Sequence, residues 1–124
     1  MREMFMRRGG GANIKTESLN RAGYDMSFTL TVDMGRESKV IGFELNNVSQ
    51  LPSQERVDYK IEGTVDGTVW ETIFTASFVS PGGTYTSNYQ KVLWNLPKYS
   101  QVRSITTNAF YARHNDTTFK LMYA

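Results

Sequence analysis

The sequence predicts an all-β fold, an antiparallel β-sandwich of the jelly-roll kind carried behind an extended N-terminal arm. Three observations lead there. Apolar residues recur at period two in short runs, and no window sustains a 3.6-residue apolar period. Glycine, proline and asparagine punctuate the runs, giving about seven or eight short strands separated by turn chemistry. The length of 124 residues fits one domain, able to bury about two-thirds of its unfolded surface without a disulfide or metal.

The elements follow in order. Residues 1–11 read as an arm and tether: Met1, Met4, Phe5 and Met6 stand among Arg2, Arg7 and Arg8, and Gly9-Gly10-Gly11 follows. Residues 12–124 form the domain. Asn13 to Tyr24 is polar and suits one edge strand. Phe28, Leu30 and Val32 then alternate with Thr29, Thr31 and Asp33, a half-buried strand ended by Gly35. Ile41, Phe43 and Leu45 alternate with Val40, Gly42 and Glu44 up to Asn46-Asn47, and Pro52 marks a loop. Val57, Tyr59 and Ile61 alternate next, and Asp66-Gly67 signals a hairpin, because glycine accepts φ > 0 and aspartate tolerates it.

Val69 to Ala76 is rich in β-branched and aromatic residues. Trp70 and Ile73 are three apart, so a regular strand cannot bury both, and a bulge or an irregular start near Trp70 is expected, with Trp70 packed beneath the turn. Ser80 to Gly83 is a turn. Thr84 to Leu96 is closed by Pro97, Arg103, Ile105 and Thr107 share the inward phase, and residues 110–116 form a loop. Phe119, Leu121 and Tyr123 make the closing strand.

Composition excludes several functions. Without cysteine there is no thiolate metal site and no thiol nucleophile, and one histidine, His114, makes an imidazole metal site unexpected. No run of 18 apolar residues spans a membrane and no signal peptide is apparent, so synthesis in a cytoplasm is expected. The net charge of +2 resides wholly in residues 1–8. The balanced remainder lacks the clustered positive charge that nucleic-acid binding requires.

Three segments, in this order, resemble a discoidin domain, the galactose-binding-like jelly roll of coagulation-factor C domains and many carbohydrate-binding modules. Residues 28–45, FTLTVDMGRESKVIGFEL, resemble its strand ending in Asp-Leu-Gly with the turn and strand after it. Residues 59–73, YKIEGTVDGTVWETI, resemble its Y-x-I-x-x-S-x-D-G-x-x-W-x-x-I hairpin, with Thr64 for the serine. Residues 99–105, YSQVRSI, resemble its late Y-I-R-I strand, and 119–123 its closing strand. The resemblance covers residues 27–124 and implies the fold, with glycan binding as the family's commonest activity. The family's early Asp-Gly…Trp loop, which often helps form a calcium site, has no counterpart in residues 12–26, so no cofactor is expected and calcium would come by resemblance alone.

Candidate chemistry is sparse. Asp33 and Glu44, or Asp58 and Glu62, could be pictured as acid–base pairs, but all four fall on the outward phase beside Lys39, Lys60 and Arg56, which suits cross-strand ion pairs. Arg103 calls for a carboxylate or carbonyl partner. The segment Phe110 to Asp116 is the densest polar and aromatic cluster. There Tyr111 could stack on a sugar while Arg113, His114 and Asn115 donate to its hydroxyls. Tyr85, Asn88 and Tyr89 form a second such cluster. No catalytic set and no metal site are expected.

The arm suits docking: methionine adapts to irregular surfaces and arginine anchors interfaces, so Arg2, Met4, Phe5, Met6, Arg7 and Arg8 are the expected partner contacts. The function expected first is therefore a non-enzymatic structural protein, attached by its arm to other subunits of a large assembly. A phage virion protein (capsid decoration, head fibre or tail), released by lysis, is the analogy. The alternative is a carbohydrate-binding module.

Overall fold

The computed structural model describes residues 13–124, with Phe110 and Tyr111 described in backbone only. The arm and tether, residues 1–11, lie outside the described residues. Five strands carry the fold: β1 Lys15–Leu51, β2 Arg56–Thr64, β3 Trp70–Val79, β4 Gly83–Val92 and β5 Lys98–Tyr123. All pair antiparallel, in the order β3-β2-β5-β1-β4. Among the described residues there is no helix.

Two of these strands are long and bent, and they close the sheet into a sandwich. β1 turns at residues 34–37, where Gly35 takes φ 77° and its amide donates to Asp33 Oδ1 at 2.9 Å. Its first part, 15–33, pairs with 112–123 of β5 and then with 101–107; in its second part, 38–39 pair with 98–99 and 40–50 with the other edge of 113–123. One layer thus holds β4, residues 38–51, residues 112–123 and residues 15–24. The other holds residues 27–33, residues 98–108, β2 and β3. Register shifts between Arg21 and Ser27 mark where β1 passes from one layer to the other.

The alternating runs lie where their period places them, except that a register shift between Val40 and Gly42 buries Val40 and leaves Ile41, expected inward, half-buried. Phe28 and Val32, Phe43 and Leu45, Val57, Tyr59 and Ile61, and Phe119 and Leu121 are all buried. Aromatic pairs tie the layers together: Phe43–Phe74 at 5.3 Å between centroids, Tyr59–Tyr89 at 5.4 Å and Phe78–Tyr85 at 4.5 Å. Of the bulge or irregular start expected near Trp70, the structure shows a bulge, three residues on at Ile73: Ile61 pairs with Phe74 and Glu62 with Thr72, which leaves Ile73 as the extra residue.

The structure corrects several expectations about the strands. On β5 the inward phase is Val102, Ser104, Thr106 and Asn108; Arg103 and Ile105 are half-buried on the opposite face and Thr107 is exposed. Pairing with β2, whose inward residues are Val57, Tyr59 and Ile61, dictates this phase. Trp70 is half-buried and outside the core, its ring lying under the Arg103 guanidinium at 3.7 Å. Residues 110–116 continue the backbone of β5 and are not a free loop. β4 ends at Val92, and residues 93–97 form an exposed turn closed by Leu96 N–H donating to the Leu93 carbonyl.

The hairpin after β2 is a five-residue loop, 65–69, with Gly67 at φ 82°. Asp66 Oδ1 accepts from the amides of Thr68 at 2.8 Å and Val69 at 3.0 Å. Those two backbone donors, Val69 foremost, hold its carboxyl below the usual carboxylate range. The Thr64 hydroxyl donates to the Val69 carbonyl at 2.6 Å and accepts from Gly67 N–H at 3.0 Å. Every polar group of this loop that these contacts engage is turned inward on the loop itself, as a structural turn requires.

Candidate functional site

The interior is apolar in one half and polar in the other. Toward the 34–37 bend it is filled by Val32, Val40, Phe43, Leu45, Ile61, Val102, Phe119 and Leu121. Toward the layer crossing it holds Asn47, Ser49, Asn108, His114 and Thr117, all buried. Asn47 Nδ2 donates to Thr117 Oγ1 at 2.6 Å and lies 3.2 Å from His114 Nδ1, while its Oδ1 accepts from Tyr59 Oη at 2.6 Å. Ser49 Oγ lies 2.8 Å from both His114 Nδ1 and Asn47 Oδ1. Asn108 Nδ2 donates to the Asp25 carbonyl, and its Oδ1 faces His114 Nε2 at 3.1 Å as the acceptor. This assigns the neutral Nε2–H tautomer.

His114 therefore does not present a donor at the surface. It is 1% exposed, both ring nitrogens are engaged, and Phe28 packs edge-on at 4.9 Å. Burial lowers its pKa, opposed by the Asp25 charge and reinforced by Arg21, which are themselves joined at 2.5 Å.

Its neighbours in sequence face the other way. Arg113 and Asn115 are exposed, one residue on each side of His114, because successive strand side chains alternate. Arg113 pairs with Tyr24 on one side and with Gln50 on the other. Both partners are exposed, Tyr24 by 60%. An outward row Tyr24–Arg113–Gln50 thus crosses three adjacent strand segments, with the Arg113 guanidinium 5.9 Å from the Tyr24 ring centroid. Ala22, Gly23, Tyr24, Arg113 and Asn115 line a shallow surface depression here. Asn20 and Asp116 extend the polar surface, joined at 2.5 Å. The side chain of Tyr111, like Arg2, Met4, Phe5, Met6, Arg7 and Arg8 of the arm, lies outside the described residues.

Sequence reading missed Tyr24 and Gln50. Their only signal is the register of β1 against β5, which no local pattern carries. The second sequence cluster divides: Tyr85 is buried, Tyr89 is half-buried, and exposed Asn88 is tied to Asn46 at 3.1 Å.

The carboxylates resolve individually. Asp33 is exposed, Asp58 binds Arg56 and Ser77, and Glu44 binds Lys120 and Gln90. Glu62, expected on a solvated face, is buried beside the Ile73 bulge. Its Oε1 accepts from Arg103 Nε at 2.9 Å and Nη2 at 2.8 Å, the partner Arg103 called for. Among the described residues no group of three or more His, Cys, Asp or Glu could hold a metal ion.

Comparison with known proteins adds to the fold alone. No protein-family model and no curated protein matches the chain. The Eiger TNF structure from S. frugiperda is similar at TM-score 0.52 and 11% identity, covering 88% of this chain and 92% of that one. A chitosan-binding module from a Paenibacillus sp. IK-5 chitosanase/glucanase gives TM-score 0.47 and 18% identity over 85% of this chain and 76% of that one. A glycoside hydrolase gives TM-score 0.40 and 18% identity over 73% of this chain, which spans 18% of that protein's length. The last two likenesses are too low to carry an argument.

Proposed function

We propose that this chain is a non-enzymatic carbohydrate-binding domain whose glycan lies on the outward row Tyr24–Arg113–Gln50, with Asn115 beside it. The observation that carries this reading is the row itself. An exposed phenol ring, a guanidinium and two carboxamides share one face of adjacent strands. A ring of this kind stacks on the C–H face of a sugar, while guanidinium and amide groups hydrogen-bond its hydroxyls. The strands fix these side chains in advance, which limits the ordering entropy lost on binding. The depression is open and shallow, which suits a glycan chain more than an enclosed small molecule.

A glycan array on the full chain, followed by calorimetry on any hit, tests this reading. Tyr24→Ala and Arg113→Ala should each weaken a hit by about tenfold or more, the loss of one or two good contacts. Their melting temperatures should stay near wild type, since both side chains are exposed. No hit on a broad array, or hits indifferent to both substitutions, would sink the proposal. The virion analogy has no support in the fold.

A further inference from the structure

One end of the sandwich is unusually apolar for a surface. Of the nine exposed large hydrophobic side chains among the described residues, six (Ile14, Val65, Val69, Val92, Trp94 and Leu96) lie at the end where the 34–37 bend turns. Pairing places them together. Thr64 and Asp33 both pair with Gln101, Lys39 pairs with Lys98, and Gly42 pairs with Val92. The Ser100 hydroxyl donates to the Val65 carbonyl at 2.7 Å, which joins the 65–69 loop to the start of β5. The 93–97 turn is held on the other side, where Leu93 N–H donates to the Ile41 carbonyl and Val40 N–H to the Pro97 carbonyl, each at 2.8 Å. Trp94 at its tip is 87% exposed. A tryptophan this open, among five other apolar side chains, marks a contact surface.

We infer that residues 1–8 of the same chain cover this end. Three observations single out this occupant. The described chain begins at Asn13, which lines one depression with Arg36, Lys39, Lys98 and Ala124, so its first described residue stands at the apolar end itself. Those residues include Met1, Met4, Phe5 and Met6, and twelve residues reach at most about 40 Å, ample to cross the end of one sandwich. Asp33, Glu37 and Asp66 stand exposed there, none in an ion pair among the described residues, and suit Arg2, Arg7 and Arg8. Arg36, Lys39 and Lys98 share the end, so apolar burial and not net charge is the main term. A connection of only a few residues gives the segment an effective concentration of millimolar order, which favours its own domain over a second copy. This inference is independent of the glycan site, which lies at the opposite end.

The test uses Trp94 as its own reporter. In the full chain carrying Trp70→Phe, Trp94 is the one tryptophan, and acrylamide quenching reads its exposure. Adding Met4→Ser, Phe5→Ser and Met6→Ser should raise the quenching constant about twofold and shift emission to the red, as uncovering an indole requires. The difference should not change with protein concentration. A variant lacking residues 1–12 should match the triple serine variant. Equal quenching with and without the apolar arm residues overturns the inference. So does protection of Trp94 that grows with protein concentration, which indicates a second copy. Protection that arises only on adding vesicles of anionic lipid overturns it too, and indicates a membrane surface.

Discussion

His114 sits where a proton is costly, enclosed by Phe28, Asn47, Ser49 and Asn108 with both nitrogens engaged. Its folded pKa lies below the unfolded value, so the unfolded chain binds the extra proton first as pH falls. Stability from this group is therefore full above about pH 6.5 and is lost as pH drops through the folded pKa. Below about pH 6.5 the unfolding free energy should fall with pH, this one group adding at most about 1.4 kcal/mol per pH unit to the slope. Denaturant titrations at pH 5, 6 and 7 check this. In His114→Gln the slope should be flatter by up to one proton, whatever its stability at pH 7. Sequence singled out His114 and the residues beside it, but not which of them face inward. That depends on Gly23 and Ser49 pairing across the same residue, contacts 91 and 65 positions away. A second residue-scale prediction concerns Glu62. Replacing Arg103 by Met leaves that carboxylate buried with Lys60 at 3.6 Å as its remaining ion pair, and removes the cation over Trp70. A loss of about 2–3 kcal/mol is expected in denaturant unfolding. Glu62→Gln in the same chain should recover part of it, since the uncompensated charge is gone.

At the scale of elements, the hairpin motif marks two glycines that act differently. Gly67 needs its φ of 82°, and Gly67→Ala should cost about 1–2 kcal/mol through backbone strain, since the methyl group would meet only Gln101 Nε2, at an ordinary 3.7 Å. Gly63 is in ordinary strand geometry, but a Cβ there would stand 2.6 Å from the buried Tyr99 ring. Tyr99 is also held by its hydroxyl donating to Glu71 at 2.9 Å, so it cannot yield easily. Gly63→Ala should thus cost about 1–3 kcal/mol by overpacking. Tyr99→Leu should ease that clash, so the double variant should lose less than the two single losses combined; thermal melts of the four proteins decide it. The motif was readable because turns depend on local chemistry, such as Asp66 and Gly67. The packing of Gly63 on Tyr99 was not, because nothing local links residues 36 apart. Likewise the alternation of Phe119 with Leu121 declared its buried face, whereas Val102 to Asn108 placed polar side chains inward and misled on phase. There the interior is polar, and hydropathy alone points to the wrong side.

For the whole molecule, the consequence lies in the two bent strands. Each layer contains a part of β1 and a part of β5, so neither layer is complete without the other. The interior is likewise shared: Asn47 and His114 of one layer hydrogen-bond Tyr59 and Asn108 of the other. Losing either layer exposes both the apolar half and the polar network, which removes any stable half-folded state. Unfolding should therefore be one cooperative transition, as for most single domains of this size. β1 begins its pairing at Lys15 with Tyr123, so the contact that closes the sandwich joins nearly opposite ends of the described chain. Such non-local pairing makes closure of large loops the slow step, and folding should fall in the range of about milliseconds to seconds. Stopped-flow mixing can follow the two layers separately in a Trp94→Phe background, through Trp70 fluorescence in one and through a fluorophore on Thr86→Cys of β4 in the other. The two probes should give the same rate at every denaturant concentration, with rates extrapolated to water reproducing the equilibrium constant. A faster phase seen by one layer alone would show that the bent strands do not couple the layers.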